Sequence, residues 1–266
     1  MKKKLIKMNE TVERMIPLNQ NRDPRIAQTV DWLRSKVTEA GAKGLIVGIS
    51  GGIDSAVVAN LIKMACPDNA LGLILPISSQ NNDVEDGIAV AMAAQLDHHV
   101  INFSDVHSNM IKEVINVLQG HSDMDEQNQR MSDANLRARL RMSTIYTVAN
   151  MLNYLVVGTD NAAELYTGYF TKYGDGGVDL LPVGKLLKSE VYLWARQLNV
   201  PEQVIQRPPS AGLWEGQTDE EEMGITYDLI DRYLSGETIP EDQRSLIEKM
   251  HHRTMHKRQM PPLPNW

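Results

Sequence analysis

Residues 44–62, GLIVGISGGIDSAVVANLI, set four glycines, two serines and one aspartate among apolar residues. Gly48, Gly51 and Gly52 lack a Cβ, so the backbone N–H groups of the turn can approach an anion closely. A helix starting just after the turn adds the positive end of its dipole. Ser50 and Ser55 can contribute hydroxyl donors, and Ile49 and Ile53 complete the turn. Asp54 would repel a phosphate directly, so it fits only with Mg2+ between the two charges. The stretch has no lysine, which excludes the G-x-x-x-x-G-K-[ST] loop, and its glycines are not spaced as G-x-G-x-x-G. It reads as a phosphate loop that carries its own metal ligand.

The surrounding pattern supplies the elements such a loop needs. DPRIAQTVDWLRSKVTEAG predicts a helix with Asp23 as N-cap, Pro24 in the first position and an apolar face of Ile26, Val30, Leu33 and Val37. GLIVGIS then reads as a buried strand and DSAVVANLIKMA as a helix. NALGLILP is a second strand, followed by the polar ISSQNND and a helix from about Val84 to Leu96. HHVINF and YLVVGTD are a third and a fourth strand, preceded or followed by DVHSNMIKEVINVLQG and by a long helix from about Ala134 to Leu152. HSDMDEQNQRMSD is expected to be an exposed loop. This alternation predicts an α/β fold: an open, mostly parallel twisted sheet with helices on both faces. Residues 205–224, proline-rich and then acidic, read as a mobile loop, and the end of the chain as an extended tail.

Bulk properties narrow the classes. With 266 residues and a formal charge of -7, the chain is read as one domain over 1–266 that repels polyanions, so nucleic acid is not expected as a partner. One cysteine, Cys66, excludes a disulfide framework and a cysteine-built zinc site. No stretch reaches the ~20 apolar residues of a membrane span, and no apolar run follows the basic first residues, so a cytoplasmic location without membrane contact is expected.

SGGIDS in its strand–turn–helix setting resembles the loop of the PP-loop ATP pyrophosphatases, which cleave ATP to AMP and diphosphate. Further along, GTDNAAELYTGYFTKYGDGGVDLLPVGKLLKSEVYLWARQL and the later HKR closely resemble the ammonia-dependent NAD synthetases. That resemblance implies conversion of deamido-NAD, ATP and ammonia to NAD, AMP and diphosphate through an NAD-adenylate. It implies ATP contacts from Gly48, Ile49, Ser50, Gly51, Gly52, Ile53, Asp54, Ser55, Thr159, Lys188 and Ser210, and Mg2+ carboxylates at Asp54 and Glu164. For deamido-NAD it implies Arg139, Lys172, Asp179, His256 and Lys257. It also implies a homodimer. No glutaminase domain is expected, so free ammonia is the nitrogen donor.

Two positions stand out physically. Lys188 opens a helix, where its charge opposes the dipole, so a functional pull is expected there. Arg139 turns away from Arg137 and Arg141, toward the face of Leu136 and Ser143, which suggests a ligand or partner. Because both substrates are anionic, Mg2+, Arg139, Lys172, Lys188 and Lys257 are expected to make the site locally positive. One departure is Ile74, where the family carries a basic residue two places before the proline of ILP. The alternatives are another enzyme with the same loop, such as a GMP synthetase ATPase domain or a tRNA-modifying enzyme, and a sensor that binds ATP without turnover.

Overall fold

Asp23 starts the first helix as its sequence position requires. Its carboxylate accepts from the Arg25 backbone N–H at 2.9 Å and from the Trp194 indole at 3.1 Å. Arg25 holds that carboxyl well below the usual carboxylate range. The structure, a computed structural model, describes residues 22–77, 81–118, 125–210 and 218–266. Helix α1 (Pro24–Glu39) buries Ile26, Val30 and Leu33, and Val37 packs alongside as the period predicts. Then follow β1 (Gly44–Gly48), α2 (Ile53–Ala65), β2 (Ala70–Ile74), α3 (Asn81–Ala93), β3 (Asp97–Val100), α4 (Ser104–Leu118), α5 (Glu126–Leu152) and β4 (Tyr154–Val157). The rest is helical: α6 (Ala162–Thr167), α7 (Lys188–Gln197), α8 (Glu202–Gln206), α9 (Asp219–Met223), α10 (Tyr227–Leu234) and α11 (Glu241–Arg253), with a 3-10 turn over Met255–Lys257.

The four strands of the described residues are parallel, in the order β3-β2-β1-β4. Strand β1 reads as an unbroken apolar run because both its faces are covered. Leu45 and Val47 join a core with Val57, Leu61 and Trp194, whereas Ile46 packs with Leu73, Val156 and Ala149 on the other side. A third apolar cluster joins Ala163 to Ile230, Ile247 and Met250 in the C-terminal helices. Pairing runs outward from β1 in both directions, so the strand order reverses beside it. The carboxyl ends of β1 and β4 therefore open a crevice, where open parallel sheets place ligands.

Several boundaries differ from expectation. Helix α3 begins three residues before Val84 and ends at Ala93. The long helix starts at Glu126 rather than Ala134, because Asp125 caps it by accepting from Asn128 N–H at 2.7 Å. Polar residues from Glu126 onward are thus helix, not loop; residues 119–124 lie outside the described residues. Of the stretch 205–224, Ile205 and Gln206 close α8, and Asp219–Met223 form α9 behind a Thr218 cap. Residues 211–217 lie outside the described residues.

Gly168 ends α6 with φ +72°, the left-handed region that suits glycine. A Cβ there would lie 2.3 Å from Thr254, whose hydroxyl donates to the Thr167 carbonyl at 2.9 Å. This contact fixes the C-terminal segment against α6. Gly168→Ala is expected to lower the thermal midpoint by about 4–10 °C, from ~1–3 kcal/mol of backbone strain and overlap. An unchanged melting curve would contradict this role.

Candidate active site

The turn after β1 is shaped by its own serines. The Gly52 N–H donates to Ser50 Oγ at 3.2 Å, the Ser50 N–H to Ser55 Oγ at 3.3 Å, and the Ser55 hydroxyl to the Gly52 carbonyl at 2.9 Å. Gly51 has φ +81° and lies against the first turn of α3, where an added Cβ would be 3.0 Å from Asp86 Cβ. Gly52 caps α2 without a side-chain acceptor, so the helix presents its N-terminus toward the crevice.

Asp54, in the first turn of α2, meets two groups from distant parts of the chain. Asn161 Nδ2 donates to its Oδ1 at 2.9 Å, and the Lys188 ammonium donates to its Oδ2 at 2.6 Å. The same ammonium lies 3.5 Å from Glu164 Oε1. Asn161 caps α6: its Oδ1 accepts from Ala163 and Glu164 N–H, while Glu164 Oε2 accepts from Asn161 N–H at 2.9 Å. A capping box therefore aims Glu164 at Asp54. The Lys188 side chain is only 4% exposed. Burial alone would lower the pKa of its ammonium, but Asp54 and Glu164 more than offset this and hold it above its ordinary value.

The helix-dipole conflict at Lys188 is resolved from outside its own helix. Asp231 of α10 accepts from the backbone N–H of Lys188 at 3.0 Å and of Ser189 at 2.8 Å. A buried carboxylate in trans thus caps α7.

These groups line a cavity of about 710 Å3, with Gly48, Ile49, Ser50, Gly52, Ile53, Asp54, Ser55, Thr159, Glu164, Lys188 and Ser210 on its wall. Gly51 supports the turn from behind. Of the residues expected to take deamido-NAD, Lys257 lines the cavity, and its ammonium donates to the carbonyls of Gly168 and Phe170 at 2.8 and 2.6 Å. Arg139, Lys172, Asp179 and His256 do not line it. Arg139 is exposed and donates to the Lys172 carbonyl at 3.3 Å; Lys172 in turn donates to the His256 carbonyl at 2.5 Å. Asp179 accepts from the Tyr146 hydroxyl and from Val156 N–H.

Arg139 is exposed in a single chain and does not reach the cavity; the arginine that reaches it from α5 is Arg141, whose Nε donates to the Leu75 carbonyl at 3.0 Å. That brings a cation to the end of β2, beside Ile74. Nor do the cavity's own side chains make it positive. Acidic and basic groups line it in nearly equal number, because Asp83, Asp160, Asp175, Asp219 and Glu222 accompany Asp54 and Glu164. Asp160 is buried with an unpartnered Oδ2, and burial, then Asp175, Glu164 and Asp54, push its carboxyl well above the usual range.

A hard divalent cation fits this arrangement. Asp54 and Glu164 already converge on one positive charge, and anionic groups beside them need another. No group of three or more acidic, histidine or cysteine side chains among the described residues could hold a metal alone. Two carboxylates completed by phosphate oxygens and water are the usual Mg2+ set.

The comparisons with known proteins follow from the same residues. The family model described as NAD synthase matches residues 25–261. The chain belongs to the NAD synthase family. It is 58% identical over 241 residues to the NH3-dependent NAD+ synthetase of Alkaliphilus metalliredigens, covering 91% of this chain and 98% of that protein. Among solved structures, an NMN synthetase from Francisella tularensis matches at 36% identity and a TM-score of 0.84, over 91% and 98% of the two chains. An NH3-dependent NAD synthetase from Campylobacter jejuni matches at 29% identity and a TM-score of 0.72, with the same coverage.

Sequence reasoning did not single out Asn161, Arg141, Asp219, Tyr227 or Asp231. Asn161 was legible as the N-x-x-E pattern of a capping box; the others carry no local signal.

Burial first, and the Asp54 carboxylate second, push the Glu164 carboxyl up to about 7, with Lys188 pulling the other way. A metal takes the ionised carboxylate, so binding below that value must displace a proton. Apparent Mg2+ affinity is expected to be level above about pH 7 and to fall up to about tenfold per unit below it. Isothermal titration across that range checks this, and a flat profile would contradict it.

Proposed function

We propose that the glycine-rich loop and its lysine-linked carboxylates carry out the ATP-dependent amidation of deamido-NAD. The chain is an ammonia-dependent NAD synthetase ligase of NAD biosynthesis, an assignment that rests on its family and on relatives that match it over nearly their whole length. The observation that carries the mechanistic reading is the meeting of Asp54, Glu164 and Lys188 at the mouth of a phosphate-shaped turn.

In this reading the amides of residues 48–55 and the α2 dipole hold the ATP phosphates, with Thr159, Lys188 and Ser210 as further contacts. Mg2+ held by Asp54 and Glu164 would neutralise charge on the triphosphate and on the departing diphosphate. The nicotinate carboxylate attacks the α-phosphorus, diphosphate leaves, and ammonia then attacks the acyl-adenylate carbonyl to expel AMP. Activation is needed because a free carboxylate has only an oxide to lose. Lys188 faces the accumulating charge from a fixed, dry position, where a preformed cation is most effective. No protein nucleophile is required; Cys66, half-buried with its thiol pushed up by burial, lies off the cavity. Most of the acceleration is then orientation.

Arg139, Lys172, Asp179, His256 and Lys257 are assigned to deamido-NAD. Four of them lie outside the cavity wall of one chain, which supports completion of that site by a second copy. An exposed apolar stripe on α4, formed by Val106, Met110, Val114 and Val117, is a surface for such a homodimer. No helix among the described residues is long and apolar enough to cross a membrane, and a cytoplasmic location suits the reaction. The nitrogen donor is free ammonia, as the name of the NH3-dependent relative matched over 98% of its length states for that protein.

Purified protein incubated with Mg-ATP, ammonium and deamido-NAD is expected to give NAD, AMP and diphosphate in equal amounts. Nicotinate mononucleotide in a parallel reaction tests the acceptor, given the likeness to an NMN synthetase. Asp54→Ala is expected to lower the rate by about a hundredfold or more, in line with loss of a charge-stabilising group. Formation of ADP, or faster turnover of the mononucleotide, would contradict the assignment.

A further inference from the structure

The carboxylate of Glu164 is held from two sides. Its Oε2 belongs to the capping box of α6, but Oε1 is met at 3.1 Å by the hydroxyl of Tyr227, the first residue of α10. Tyr227 is 5% exposed, and its ring lies 4.7 Å from the Lys188 ammonium. The same hydroxyl is 3.0 Å from Asp219 Oδ2. Asp219 is itself 6% exposed, and its backbone N–H donates to the Pro209 carbonyl at 3.0 Å. One turn along α10 from Tyr227, on the same helix face, Asp231 caps the backbone of Lys188. A single short helix therefore grips both the cation and the carboxylate of the reaction centre.

We infer that Tyr227 is a positioning residue for adenylation: its hydroxyl fixes the Glu164 carboxylate in the orientation that receives the metal, and its ring fixes Lys188 beside it. The inference rests on the assignment of Glu164 to Mg2+. Without the hydroxyl, Glu164 Oε1 keeps only the Lys188 ammonium, at 3.5 Å, and the carboxylate turns toward that charge. Groups that orient a ligating side chain in this way usually contribute about 10–100-fold to metal affinity. Asp219 lies on the other side of the phenol, within reach of the same single hydroxyl proton.

The test uses Mn2+ as the probe, with bound Mn2+ read by electron paramagnetic resonance in the presence of an ATP analogue whose α,β bridge is methylene. Tyr227→Phe keeps the ring, its packing and its contact with Lys188, and removes only the hydroxyl. It is expected to weaken Mn2+ binding about tenfold while moving the melting temperature by no more than about 4 °C. The Mg2+ concentration needed for half-maximal turnover rises in parallel, and the KM for ammonium stays the same. Tyr169→Phe removes another phenol that contacts Asp219, at 3.2 Å, but not Glu164, and is expected to leave Mn2+ affinity within about twofold. Mn2+ affinity unchanged in Tyr227→Phe, or equally weakened in Tyr169→Phe, would overturn the inference. Glu164→Gln separates the two levels: if it leaves Mn2+ binding intact, the metal assignment itself fails; if it abolishes binding while Tyr227→Phe does not affect it, only the role of Tyr227 fails.

Discussion

One buried ammonium, that of Lys188, holds two carboxylates from separate parts of the chain within a few ångströms of each other. Removing water from such charges is unfavourable, and it is tolerated only where each has a partner of opposite sign and further hydrogen bonds. The fold supplies them. Asn161 donates to Asp54, the α6 capping box holds Glu164, and Asp231 takes the backbone end of Lys188. Removing one partner of a buried charged group typically destabilises by about 3–5 kcal/mol, so the cluster is as much a structural joint as a reaction centre. It links the loop after β1, the helix after β4 and the helix at Lys188 at the reversal of strand order.

The charge balance of the cavity follows from that joint. Lys188 is engaged by Asp54 and Glu164, and Lys257 by backbone carbonyls, so neither is free to neutralise a polyphosphate unaided. Asp160 sits close by, buried and with one oxygen unpartnered. In the proposed mechanism, a protein of net charge -7 that handles two anionic substrates relies on a divalent cation more than on a basic surface.

Much of this was legible in the chain. The glycine turn, the covered strands and the capped first helix each rest on local rules: absence of Cβ, apolar runs of strand length, and Asp followed by Pro. The pairing of Asp54 with Glu164 came from resemblance; the structure brings both carboxylates to the Lys188 ammonium. The start of α5 was missed because a polar surface helix has no apolar period to announce it; the Asp125 cap was the available signal. The ligand assigned to Arg139 came from resemblance, because helical phase gives the direction of a side chain but not which neighbour covers it. Tyr227, Asp219 and Asp231 could not be read at all: Tyr227 and Asp231 reach Glu164 and Lys188 by hydrogen bonds spanning 63 and 43 residues, and Asp219 meets the phenols of Tyr227 and Tyr169.

The central claim is that the Lys188 ammonium organises both carboxylates for adenylation. Exchange of labelled diphosphate into ATP, dependent on deamido-NAD and measured without ammonia, isolates that step. Lys188→Met, similar in length but uncharged, should fold yet lose exchange by about a thousandfold, the scale on which a preorganised charge acts. Exchange within a few-fold of the unaltered protein would contradict the account.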